Sequence, residues 1–259
     1  MAQPSGGELD ELDKNLNIEA TAAPNVQSIQ ERLLYEMRFG CYKNAAKLPC
    51  ESLLAKALNI SRTQLRDTLA ELYHDGIISR RQGVGTIINR HVLYLSTRMD
   101  IDMGYEDMIQ KSGREPKMLL IRSGILRSAQ ASEKMGTGRL DELLYVSRII
   151  TANGKPAVYC EEHIPKRLIR RGGYTDADLE KPIRHFLGVF CGLEPCTDVR
   201  EVHAVSASGN IAKSLSVPDG TPLLQLDEVD YDFDGKPIMY SRQFCVEGSV
   251  AHHVVRRKI

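Results

Sequence analysis

The sequence predicts an α+β protein built from two unlike modules, and three observations carry that reading. Apolar residues recur at helical spacing between Val26 and Leu72. From Lys117 onward, short β-rich runs alternate with short helical ones. The segments NGKPAVY (153–159) and DGKPIMY (234–240) share Gly-Lys-Pro-x-x-Tyr, eighty-one positions apart, the mark of two similar half-sheets in one α+β domain.

The composition, 42% hydrophobic and 26% charged over 259 residues, is that of an ordinary globular chain long enough for two domains. No run approaches the roughly 18 apolar residues of a membrane span. Residues 1–25 are acidic and lack the basic-then-apolar order of a signal peptide, so they read as a disordered tail. The six cysteines (Cys41, Cys50, Cys160, Cys191, Cys196, Cys245) form no CxxC pair and no zinc-like spacing with histidine. Reduced thiols in a cytoplasmic protein are the expectation. His252-His253 reads as a surface feature rather than a metal site. The formal net charge is zero, yet Val26–His91 holds ten basic against six acidic side chains, so a basic module of charge +4 sits inside a neutral chain.

Each element of that module has a local cause. Val26, Ile29, Leu33 and Met37 predict an amphipathic helix over 26–39, stopped by Gly40. Pro49 precedes a short helix with Leu53, Leu54 and Leu58 on its inner side, and Asn59-Ile60-Ser61 turns the chain. Ser61 and Gln64 fit a capping box for a second helix; Leu65, Leu69 and Leu72 line its buried stripe and Gly76 is the C′ residue. Arg62, Thr63 and Arg66 therefore face outward near its N-terminus. Two short helices joined by a tight turn make a helix-turn-helix, whose second helix presents N-terminal residues to base edges, and arginine matches the two acceptors of guanine. Ile77–Arg80 and Thr86–Ile88 read as strands around Arg81-Gln82-Gly83-Val84-Gly85. This glycine-flanked turn tipped with arginines is a wing that can approach a phosphate backbone closely.

Leu48-Pro49-x-Glu51, Ser61-Arg62-Thr63-x-Leu65-Arg66, Asp75-Gly76-x-Ile78 and Arg81-Gln82-Gly83-x-Gly85-Thr86 together resemble the GntR family of bacterial transcriptional regulators over about 26–88. The resemblance implies a homodimer on an operator with paired half-sites. It implies DNA contacts at Ser61, Arg62, Thr63, Gln64 and Arg66 in the recognition helix and at Gln82 and Gly83 in the wing; Arg80 and Arg81, at the mouth of the turn, are read from their charge as phosphate contacts. The chain departs from the family in having Ser52 where an arginine usually follows the glutamate.

Beyond a winged helix-turn-helix domain over 26–90, residues 91–103 show no strong period and read as a linker, and 104–259 as the second domain. Lys117–Leu126, Leu143–Thr151, Ala157–Ile164, Val199–Ser206, Leu223–Asp232 and Ile238–Val246 read as strands, with hairpins at Asn153-Gly154 and Asp234-Gly235. Gln130–Met135, Thr175–Phe190 and Ile211–Leu215 read as helices. This order, the Lys134–Gly138 helix end and Tyr240-Ser241-Arg242 resemble the UTRA effector domain of the HutC branch, a chorismate-lyase-like fold, over about 104–250. The all-helical, metal-binding effector domain of the other large branch does not fit so strand-rich a sequence.

A small-molecule pocket between the half-sheets is what this second resemblance implies. Arg148 matches a position that binds anionic effector groups in sugar-phosphate-sensing relatives, but the arginine expected two residues on is Ile150, and two acidic positions are replaced by Cys160 and Met239. Arg184 offers a second positive charge. Tyr159 and Tyr240 are candidate pocket residues, with core packing the alternative, and Arg242 reads as an ion-pair residue. The expected effector is anionic and less polar than an amino-sugar phosphate. The function this implies is an effector-controlled transcriptional regulator, a repressor in most of this branch, without cofactor or membrane partner. The alternative is an enzyme of chorismate-lyase-like fold with an auxiliary DNA-binding head; no G-x-S-x-G, HExxH, phosphate loop or CxxC supports it. An architectural DNA-binding protein would leave the large second module unused.

Overall fold

The computed structural model describes residues 28–101, 103–138 and 141–256; the acidic segment 1–25 and Val26 lie outside them. The chain divides into two compact units. One ends at Leu95 and includes the C-terminal segment from His253; the other is Ser96–His252.

The first unit is a three-helix head with a two-stranded ribbon. Helix α1 (Ile29–Arg38) opens on a capping box in which Ser28 Oγ accepts from the Glu31 amide and the Glu31 carboxylate accepts from the Ser28 amide. Helix α2 (Glu51–Leu58) ends at Asn59, held in the left-handed region at φ 55°, and the chain turns directly into α3 (Arg62–His74). Leu33, Met37, Leu54, Leu58, Leu65, Leu69 and Leu72 form one core with Ile78 and Ile88. Leu53, expected inside, is 40% exposed, and Ala55 takes the inner position: three residues apart on this short helix, Ala55 and Leu58 turn inward together and leave Leu53 outside.

Strands β1 (Ile78–Arg81) and β2 (Gly85–Ile88) pair antiparallel with Arg81 opposite Gly85. The segment read as a linker begins inside this unit. Helix α4 (Arg90–Leu93) buries Val92 and Leu93, and Arg90 donates to the carbonyls of Met37, Tyr42 and Ala45. The boundary between units falls later, at Leu95/Ser96.

The second unit is built on a six-stranded antiparallel sheet. In chain order its elements are α5 (Tyr105–Lys111), β3 (Pro116–Leu126), α6 (Ala129–Lys134), β4 (Leu143–Ala152), β5 (Lys155–Pro165), α7 (Asp176–Leu179), α8 (Ile183–Phe186), β6 (Thr197–Ser206), α9 (Gly209–Leu215), β7 (Pro222–Tyr231) and β8 (Pro237–Val246). The spatial order is β3-β4-β5-β8-β7-β6, so two β-α-β-β units meet edge to edge through β5 and β8. Glu161 and Arg242, eighty-one positions apart, face each other across that seam, which places a pseudo-twofold axis between them. The half-sheets thus form one continuous sheet.

The repeated Gly-Lys-Pro segments are more than turns. Asn153 and Gly154 have φ of 51° and 78°, as a two-residue primed hairpin turn requires. Two residues into the outgoing strand the pairing skips one position: Thr151 faces Pro156 but Ile150 faces Val158, leaving Ala157 as the extra residue of a bulge. The second hairpin repeats this with Tyr231 facing Pro237, Asp230 facing Met239 and Ile238 as the extra residue.

One face of the sheet is covered by α6 and α9, against Leu143, Val229 and Tyr240 and against Ile149, Tyr159 and Phe244 respectively. Hydrophobic residues of α5, α7 and α8 pack with the alternate residues of the other face. The helix expected over 175–190 is broken. Pro182 has no amide hydrogen to donate, so α7 stops before it, α8 starts after it, and Leu187–Cys191 winds as a π-turn ending at Gly192. No helix among the described residues is long and apolar enough to cross a membrane.

Candidate functional sites

In the first unit, Ser61, Arg62, Thr63, Gln64 and Arg66 are all exposed at the N-terminal end of α3, while Leu65, Thr68 and Leu69 behind them are buried. Ser61 Oγ accepts from the Gln64 amide and Gln64 Oε1 accepts from the Ser61 amide, so these two side chains close the helix end. Arg80, Arg81, Gln82 and Gly83 are exposed on the ribbon. Gly83 and Gly85 have φ of 74° and 96°, and a Cβ at either would meet no atom within 4 Å. Backbone conformation, not crowding, is what calls for glycine in this turn.

Sequence reasoning missed the part played by Glu51. Arg66 Nε donates to Glu51 Oε2 at 2.8 Å, and Arg80 Nη2 lies 3.7 Å from Glu51 Oε1. One carboxylate at the start of α2 therefore links α3 to the ribbon, and the Arg66 bond holds its carboxyl below the usual range. Arg66 remains 66% exposed, so the pairing orients the guanidinium without burying it. The only sequence signal was the position of Glu51 in the Leu-Pro-x-Glu stretch.

The second unit contains a pocket on the face of the sheet that also carries α5 and α8, with an empty volume of about 730 Å³ including its mouth. Arg148, Cys160, Glu162, Glu228, Asp230, Met239, Ser241 and Gln243 reach it from the four central strands, Arg200 from β6 and Arg184 from α8. Cys160 and Met239 thus sit where the sequence places them. Tyr159 and Tyr240 do not: both lie on the opposite face, where Tyr159 stacks on Phe244 and Tyr240 packs near His163. The bulges at Ala157 and Ile238 shift the alternation by one residue, so Arg148 pairs with Cys160 rather than Tyr159. Arg242, on that opposite face, makes a two-pronged ion pair with Asp227 at 2.8 and 3.1 Å.

The pocket's arginines are already engaged. Arg148, 2% exposed, is bound to both carboxylate oxygens of Glu162 and donates to the Lys181 carbonyl at 2.6 Å. Arg200 lies 2.5 Å from Glu228 and 3.2 Å from Asp198, and Glu228 also accepts from Gln243. Asp230 is different. It is 1% exposed, neither of its oxygens accepts a hydrogen bond, and the nearest cation is Arg184 at 3.8 Å. Burial, and then the neighbouring Glu228 carboxylate, push its carboxyl up to about 8. Burial also raises Glu228. His252, expected on the surface, lines this pocket.

Among the described residues, Glu201, His203 and Asp227 bring ligand atoms within 4.8 Å of one another. The protein's own cations occupy them: Lys134 lies 2.6 Å from Glu201, and Arg242 holds Asp227.

Residues 25–88 match the family model described as bacterial regulatory proteins of the gntR family, and residues 111–249 match the UTRA domain. The chain is 24% identical over 220 residues to the "Probable fructoselysine utilization operon transcriptional repressor" of Escherichia coli K12, covering 84% of this chain and 88% of that protein. It is 22% identical over 220 residues to the transcriptional repressor NagR of Bacillus subtilis, covering 85% and 89%. The crystal structure of the possible transcriptional regulator YydK from Bacillus subtilis superposes with a TM-score of 0.74 at 18% identity, covering 88% of this chain and 99% of that one. PhnF of Mycobacterium smegmatis gives 0.54 at 21% identity, covering 88% and 96%. These structural likenesses establish the two-part fold.

Proposed function

Because the chain belongs to the GntR family of bacterial regulators and carries a UTRA domain, we propose that it is a cytoplasmic homodimeric repressor whose hold on operator DNA is set by a small molecule in the pocket of the second unit. The observation that carries this reading is the outward cluster of Arg62, Thr63 and Arg66 at a capped helix end, beside a ribbon tipped by Arg80, Arg81, Gln82 and Gly83. A helix N-terminus of this kind suits the major groove, and the ribbon arginines suit phosphates. Ser61 and Gln64 contribute by fixing the helix end as well as by any contact of their own.

Arg148, Arg184 and Arg200 are the arginines that line the pocket, with Arg148 braced by Glu162. Tyr159 and Tyr240 support the sheet beneath it. Among the described residues that line the pocket, none resembles a nucleophile with its base: the thiol of Cys160 is pushed well above its ordinary range by burial, which favours a binding over a catalytic reading.

The test is a gel-shift assay with fragments from upstream of the gene and its neighbours. A discrete complex with twofold-symmetric protection is expected. Arg62→Ala and Arg66→Ala should each weaken specific binding by about 1–3 kcal/mol with unchanged circular dichroism. Loss of helicity in both variants would mean that the two arginines hold the head together instead of reading DNA.

A further inference from the structure

Taking the pocket of the second unit as the effector site, we propose that its effector carries a protonated amine and that Asp230 is the residue that receives it. The argument is an accounting of charge. Glu162 and the Lys181 carbonyl occupy Arg148, and Glu228 and Asp198 lie against Arg200. Each of these two guanidinium charges is thus already balanced by a carboxylate of the protein, so neither presents a net positive charge to an anion. The carboxylate of Asp230, in contrast, lines the cavity at 1% exposure with no donor to either oxygen. A buried carboxyl group with no partner, charged or neutral, forfeits the hydrogen bonds it made in water, and native proteins seldom retain one without a function.

The surroundings define what can satisfy it. Glu228 lies two residues along β7; Arg200 and Asp198 come from β6, and Arg184 from α8. Met239 faces Asp230 across the β7–β8 pair, and Glu106 and His252 line the same cavity. The negative groups Glu228 and Asp198 flank the site, and Arg184 is too distant at 3.8 Å to donate a hydrogen bond. A ligand ammonium supplies both the donor hydrogens and the charge, and the apolar lining of Met103, Met118, Ile150, Leu226 and Met239 accommodates its carbon chain. In the empty protein Asp230 holds a proton near neutrality; the arriving cation favours its ionised form, so binding releases that proton.

The test uses the full-length chain and three probes of equal length: 4-amino-1-butanol, 1,4-butanediol and 4-hydroxybutyrate. Each is supplied at about 20 mM, where a ligand of a few atoms can occupy a matched site. Calcium chloride is a fourth arm. The amino alcohol is expected to raise the Tm of the parent protein, the diol and the carboxylate to leave it unchanged, and Asp230→Asn to reduce the amine response at least about tenfold in apparent affinity. Asparagine keeps the shape while removing the charge, so the fold is retained; Asp230→Thr serves as a second variant. The amine response should also strengthen between about pH 6.5 and pH 8.5 in the parent protein and lose that dependence in Asp230→Asn. Four results overturn the proposal: no amine response, an amine response indifferent to Asp230, a calcium response lost in Asp230→Asn, or carboxylate binding that strengthens as pH falls. An operator complex read in parallel separates the two levels. Binding of 4-hydroxybutyrate that releases operator defeats the amine assignment alone, whereas operator affinity indifferent to substitution throughout the pocket defeats the effector reading beneath it.

Discussion

Arg148 is the residue whose role changes most between the one-dimensional and three-dimensional views. The sequence offered it as a free cation awaiting an anion; the structure gives it Glu162 as a buried partner on the adjacent strand. Truncating one member of such a pair strands the other in a medium of low polarity. Arg148→Ala should therefore lower stability by about 3–5 kcal/mol, and Arg148→Met with Glu162→Leu should recover most of it. Urea denaturation of the three proteins checks this, and an undiminished midpoint in the single variant would disprove it. Asp230 makes a prediction of opposite sense to the usual carboxylate. Its folded value of about 8 exceeds the unfolded value near 3.8, so the native state binds the extra proton. Its contribution to stability is therefore full below about pH 4 and declines as pH rises towards 8. Asp230→Asn should flatten the fall in Tm between about pH 5 and pH 8.

At the scale of elements, the N-terminus of α3 was legible because its determinants are local. Ser61 and Gln64 stand three apart and make both bonds of the capping box. Ser61→Ala should cost about 0.5–2 kcal/mol of head stability, measured by thermal melting of the full chain, independent of any DNA contact. A loss of operator affinity without that cost would assign Ser61 to the DNA instead. The hairpins were legible for the same reason, since Asn153-Gly154 and Asp234-Gly235 specify their own turns. The bulges were not. A skipped residue leaves no mark in hydropathy, yet it reverses the face of every side chain beyond it, which is why the sequence leaves pocket and core packing both open for Tyr159 and Tyr240. Pro182 was visible but was placed inside a helix that it divides. Glu51 was visible as a motif letter; its link to Arg66 and Arg80 depends on a fold that brings residues 51, 66 and 80 together.

For the whole molecule, the two units can communicate only through a difference in binding energy. An inducer that releases DNA 100-fold must prefer the DNA-incompetent state by about 2.7 kcal/mol. With Arg80 and Arg81 on phosphates, as the proposed reading has them, affinity should also fall steeply with salt. Removing both as Arg80→Ala/Arg81→Ala should reduce the slope of log K against log salt by about two per head. An unchanged slope in titrations at several salt concentrations would take the ribbon off the backbone.

The seam between β5 and β8 has a final implication. Rotation about it carries Arg148 onto Glu228 and Glu162 onto Gln243, as the strand registers require. The two walls of the cavity are thus the same scaffold carrying different side chains, so the Arg148–Glu162 pair of one wall has no copy in the other. A molecule lodged there meets unlike groups at its two ends, so a backbone that repeats by rotation still distinguishes head from tail.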